Sequence, residues 1–198
     1  MSNNCFWNET LKLGAILGAL MSISTMLESY VSYYSAIPLV RASMIYLAEW
    51  LVVVVAYVWL MYRFTKSYSN RYFDEGAGFS FSQGFGFVIT LSLFVAIMVG
   101  VTTTLFYSVM GFDGFIDGYI ARIDELMAYM GANNIAMNSV AEDIELLRDN
   151  IRAFQQPSML SNILAAINNY VLSGLIIGLI IAAILRRKPV IVERNENE

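Results

Sequence analysis

The chain predicts an all-α membrane protein: a four-helix transmembrane bundle with an extracytoplasmic amphipathic helical hairpin between its third and fourth helices. Three observations carry this. Four apolar runs, about 11–27, 45–61, 85–110 and 164–185, each approach the ~20 residues that a helix needs to cross a bilayer. Between the last two lies a carboxylate-rich insert, residues 112–158, written in helical periodicity. Hydrophobic residues make up 58% of the 198, above the ~45–50% of soluble domains. The four spans and the insert consume the length, so one membrane domain over 1–198 is expected.

The first run contains Gly14, Gly18 and Ser22, and the fourth contains Gly174, Gly178 and Ala182. Each set falls at i, i+4 and i+8 on one helix face. Lipid gives apolar helices no hydrophobic reason to associate, so small residues that let backbones approach mark contact faces. These faces fit packing within the bundle or, alternatively, a homodimer seam.

The spans are oriented by where Lys and Arg fall. Lys12, the Arg63, Lys66 and Arg71 connection, and the Arg186-Arg187-Lys188 stop with Arg194 lie on one side. On the other, Arg41, Arg122, Arg148 and Arg152 are diluted by Asp113, Asp117, Asp124, Glu125, Glu142, Asp143, Glu145 and Asp149. The denser basic set predicts cytoplasmic termini and a periplasmic 112–158 insert. Trp7, Tyr30, Tyr33, Tyr34, Tyr46, Tyr62, Tyr107 and Tyr170 fall near span ends, as interfacial aromatic residues do.

Within the insert, Phe115, Ile116, Tyr119, Ile120, Ile123, Leu126, Met127 and Met130 recur at three and four, giving a helix of about 17 residues. Gly131 is expected as its left-handed C-cap, with Asn133 and Asn134 continuing the turn. Ser139-Val-Ala-Glu142 reads as a capping box, opening a second helix of about 15 residues. Its apolar stripe includes Ile144, Leu147, Ile151 and Phe154, a candidate partner face. The two stripes can pack on each other, lie on the membrane, or dock a partner. Adsorption to the membrane is the least favoured, because the polar faces are acidic.

At the start of the third run the chain reads Gly78-Phe-Ser80-Phe81-Ser-Gln83-Gly84-Phe85, and the fourth closes on Ile-Leu-Arg186-Arg187-Lys188. With the order short loop, basic loop, long helical loop and basic stop, this resembles an uncharacterised four-span membrane family of Bacteroidetes, domain of unknown function 4199. The resemblance covers most of the chain and implies a bacterial inner (cytoplasmic) membrane, with no assigned activity. Read physically, Ser80 or Ser82 can cap a helix start, and Phe79, Phe81 and Phe85 fit an interfacial belt.

Ionisable groups within spans are the first functional candidates, because a charge at bilayer depth costs about 3 kcal/mol or more. Glu28 ends the first span and Glu49 lies about one turn inside the second. Thr102, Thr103 and Thr104, with Asn168 and Asn169, stand at similar depth on the other two spans. Together they form a candidate polar layer open to the outside. The alternative is that the carboxylates snorkel and the Thr and Asn groups bond neighbouring backbones.

An enzyme is not expected. With no histidine and only Cys5, zinc and Ser-His chemistry lack their residues, and no cofactor or metal site is expected. Gly76, Gly78, Gly84 and Gly86 lack the lysine of a phosphate loop. A net charge of −4 with no basic stripe speaks against nucleic acid. Neither a cleaved signal peptide nor lipidation at Cys5 is expected. The first functional reading is a structural or interaction protein whose external hairpin mediates self-association or docks an envelope partner. The second is a small channel or transporter component that uses the polar layer.

Overall fold

The computed structural model describes residues 3–73, 78–132 and 141–189. Its helices are α1 (Asn3–Ser29), which runs on into a π-helical turn (Tyr30–Tyr34), α2 (Leu39–Tyr72), α3 (Phe81–Met110), α4 (Phe112–Ala132), α5 (Ala141–Arg152) and α6 (Met159–Leu185). Four segments, Cys5–Tyr34, Leu39–Tyr72, Phe81–Met110 and Met159–Leu185, are long and apolar enough to cross a membrane. The chain is a multi-pass helical membrane protein, as its apolar runs predict. The expected capping box from Ser139, the turn at Asn133 and Asn134, and Arg194 lie outside the described residues.

α3 is the axis of the bundle. Half of its most apolar window is buried, against 11% for α2. The reason is in the small residues of its two neighbours. A Cβ added to Gly14 or Gly18 of α1 would fall 2.7 Å from Phe94 Cβ or Met98 Sδ of α3. One turn on, Ser22 is buried and its hydroxyl accepts from Thr102 Oγ1 at 2.9 Å. From α6, a Cβ on Gly174 would sit 2.1 Å from Ser92 Oγ, and one on Gly178 would sit 3.2 Å from the Phe85 ring. Ala182 is fully buried beside Gly84 of α3. Both small-residue stripes therefore face α3 of the same chain. The close approach trades side-chain bulk for backbone van der Waals contact, the main source of helix association in lipid.

The end bearing the α2–α3 connection is closed by aromatic rings. Tyr68 and Phe87 stack at 4.2 Å, Phe6 stands edge-on to both, and Phe73 packs against Phe79 at 5.0 Å. Phe79 is fully buried, so it belongs to the core and not to the interfacial belt. A short antiparallel bridge holds it there: Phe79 N–H donates to Arg187 O at 3.0 Å, and Arg187 N–H to Phe79 O at 2.9 Å. Gly78 makes this possible. Its φ is +70°, and a Cβ would meet Pro189 N at 2.6 Å. Ser80 then caps α3 in a capping box with Gln83, each side chain bonding the other's backbone N–H. Arg71 and Tyr72 both reach Glu9, and Arg187 donates to Ser69 Oγ at 2.6 Å.

The insert departs from the expected pattern. α4 does not end at Gly131 but runs to Ala132, and Gly131 stays within the helix; the glycine with positive φ beside this helix is Gly111, φ +84°, which separates α3 from α4. The first half of α4's apolar face packs on the chain's own π-helical turn, whereas Leu126 and Tyr129 further along are 47% and 56% exposed. Tyr33 packs on Phe115 at 4.7 Å and stacks on Tyr119 at 5.6 Å. A Cβ on Gly118 would fall 1.8 Å from Tyr33 O, so only glycine admits this approach. α5 joins α4 through the Arg148–Asp124 ion pair. On α5, Ile144 and Ile151 are half-buried and Leu147 is 45% exposed; Phe154, expected on the same stripe, lies beyond the end of α5 and is 64% exposed.

Candidate functional site

At the α4 end, α1 and α2 part. Between them and α6 lies a cavity of about 320 Å³. α1 contributes Met21, Ser24, Thr25 and Glu28; α2 contributes Tyr46, Glu49, Trp50, Val53, Val54, Tyr57 and Val58; α6 contributes Tyr170, Ser173 and Ile177. On each helix these positions recur at three and four, so each contributes one face. Glu49 lies ten residues into α2, about 15 Å along its axis.

The carboxylates carry the polarity of this cavity. Ser24 Oγ donates to Glu49 Oε1, which ties α1 to α2. Glu28 stands one turn beyond Ser24 on the same wall. Among the described residues no ion pair reaches Glu28 or Glu49, and the wall has no basic residue. Tyr46, Trp50, Tyr57 and Tyr170 supply aromatic surface. Tyr57 is 5% exposed, and its ring stands 6.3 Å from that of Tyr170.

A second cavity of about 390 Å³ lies further out, between the π-helical turn, the start of α2 and α4. Glu28 and Tyr46 belong to the walls of both cavities and stand at their junction. The outer cavity is bounded by Arg122 of α4, which binds backbone instead of facing solvent. Its Nε donates to Ser32 O at 2.6 Å, Nη1 to Ile37 O at 2.7 Å, and Nη2 to Ser35 O at 3.2 Å and Val31 O at 3.3 Å. Nη1 also bonds Glu125 at 2.9 Å, and Glu125 accepts the Leu39 N–H at 2.8 Å. One i, i+3 pair thus satisfies carbonyls left open where α1 ends and an amide left open where α2 begins.

The candidate polar layer is only partly gathered. Glu28 and Glu49 meet in the inner cavity. Thr102 turns to Ser22 instead, and Thr104 donates to Gly100 O and accepts from Asn162 Nδ2, both at 2.9 Å. Thr103 is half-buried on α3, outside both cavity walls. Asn168 and Asn169 are exposed on α6 and line neither cavity; Tyr170 and Ser173 take the place expected of them. Depth alone put the asparagines in the layer, but their helix face turns them away.

Among the described residues no group of three or more His, Cys, Asp or Glu side chains is disposed to hold a metal ion. The arrangement can bind a solute by carboxylate attraction, hydroxyl bonding and aromatic contact.

A family model described as protein of unknown function (DUF4199) matches residues 12–187. The chain belongs to this family. The match runs from the third turn of α1 to the Arg187 bridge, and so contains every wall residue of both cavities. DUF4199 membership bears out the resemblance carried by the Gly78–Phe85 segment and the basic stop. Comparisons with curated proteins and with solved structures returned no match.

Proposed function

We propose that this chain is a small-solute-binding membrane protein, a component of a channel or transporter that admits its solute from the α4 side. The observation that carries this is the convergence of Glu28 and Glu49 on the wall of one cavity, with Glu28 and Tyr46 also lining the outer cavity beside it. A charge at membrane depth is costly, and one held on a cavity wall is usually there for a solute or ion. The membrane is a bacterial inner membrane, the termini are cytoplasmic and residues 112–158 are periplasmic. This orientation rests on the basic residues of the opposite end: Arg63, Lys66 and Arg71 on α2, and Arg186, Arg187 and Lys188 after α6. The interaction reading loses ground because the Phe115 and Tyr119 part of α4 packs on the π-helical turn of its own chain, although Leu126 of α4 and Leu146 and Leu147 of α5 remain exposed.

The test is labelling of Ser173→Cys in a Cys5→Ser background by a membrane-impermeant thiol reagent applied to the periplasmic face. Fast labelling that slows at least ten-fold when Val54→Trp fills the cavity supports the reading. A folded protein that resists labelling from that face sinks it. A stoichiometric second chain, released by Leu147→Lys and Phe154→Lys, would then restore the interaction reading.

A further inference from the structure

We infer that the inner cavity selects an organic ammonium ion with apolar substituents. This rests on the reading that the cavity admits a solute, and names the class of that solute.

The lining carries two carboxylates and no basic side chain. Neither carboxylate has a cationic partner among the described residues, and Glu49 is held toward α1 by Ser24. Two like charges on facing helices at membrane depth repel each other, and a cation between them removes that repulsion and restores the pairing that intramembrane charges require. An anion or a phosphate-bearing headgroup would add a third negative charge. The nearest guanidinium, Arg122, has its donors engaged by Val31, Ser32, Ser35, Ile37 and Glu125.

The rest of the wall decides which cation. A hard divalent ion takes six or more closely converging oxygens, and no acidic cluster of that kind exists among the described residues. The wall is instead mostly aromatic and aliphatic: Tyr46, Trp50, Tyr57 and Tyr170, with Val53 and Ile177. Aromatic faces attract ammonium groups through their quadrupoles, most strongly when water is excluded, and aliphatic groups accept the ion's substituents. About 320 Å³ is ample for such an ion and far larger than a bare metal ion needs.

Trp50 gives the readout, since it lies in the wall and the other two tryptophans, Trp7 and Trp59, do not. The protein bearing Trp7→Phe and Trp59→Phe, purified in mild detergent, is titrated with choline and with its neutral carbon isostere 3,3-dimethylbutan-1-ol while Trp50 fluorescence is followed. Choline should produce a saturable change at a concentration at least ten-fold lower than the isostere. Glu28→Gln and Glu49→Gln, each checked for an unchanged elution volume, should each weaken choline at least ten-fold and leave the isostere unmoved. Equal binding of choline and isostere, lost in Ser173→Phe, would overturn the ammonium assignment while leaving the cavity a solute site. Equal choline binding by both Gln variants would overturn it too. No saturable response to choline would also overturn it, and labelling at residue 173 then decides separately whether the solute reading falls.

Discussion

The two ends of this bundle are built on opposite plans. At the α2–α3 end, Phe6, Tyr68, Phe73, Phe79 and Phe87 fill the space between helices, and Arg187, Glu9, Arg71 and Ser69 cross-link them. At the α4 end, α1 and α2 separate around two cavities, and a pair of α4 side chains spans the gap from outside. The same four helices serve both plans, because α3 holds α1 and α6 along its length while α2 remains peripheral. Rigidity at one end lets the other stay open.

The sharpest way to break this contrast is Phe79→Ala. Removing a fully buried ring from the closed end should cost roughly 3–5 kcal/mol and lower the unfolding temperature in detergent markedly. Choline binding, measured well below that temperature, should change little. If binding falls in proportion to stability, the two ends are not separate.

Arg122→Ala comes next. It strips several backbone carbonyls of their donor, and loss of hydrogen bonds to a charged group should cost about 2 kcal/mol. Amide exchange should rise at residues 35–42 and leave residues 79–91 unchanged. Arg122→Lys should rescue little, since a point charge cannot fork across so many acceptors. Uniform exchange across both regions would contradict the division.

The smallest effect belongs to Glu9→Gln. It removes the charge that pairs with the exposed Arg71 while leaving an oxygen for Tyr72 to bond, so a loss of about 1 kcal/mol is expected, reduced further by salt. A larger loss would make the polar cross-links, and not the aromatic rings, the source of closure.

Much of the closed plan was legible in the chain. Spans announce themselves by apolar length, and Gly14, Gly18, Gly174 and Gly178 by spacing, because both signals are local and periodic. The open plan was half legible. Glu28 and Glu49 stood out as carboxylates inside apolar runs, but Asn168 and Asn169 misled, since depth is readable along a helix while rotation is fixed only by its neighbours. Arg122 gave little sign of its role. Its partners are backbone carbonyls and one amide, which carry no residue-type signature. The signal available was a single arginine three residues before a glutamate in an otherwise acidic helix. Phe79 looked interfacial because aromatic residues at span ends usually are; the bridge to Arg187 that draws it inward joins positions 108 residues apart in sequence.

The central place of α3 also has a consequence for biogenesis. As the chain leaves the ribosome, α1 and α2 are inserted first, and the small-residue face of α1 then has nothing to pack against. Phe94, Met98 and Thr102 arrive only with the third span, and the grip of Gly174 and Gly178 only with the last. The nascent protein therefore matures late and in two steps, first as α1 meets α3 and then as α6 closes on α3. A chain truncated before the third span should be left for the membrane's quality-control proteases.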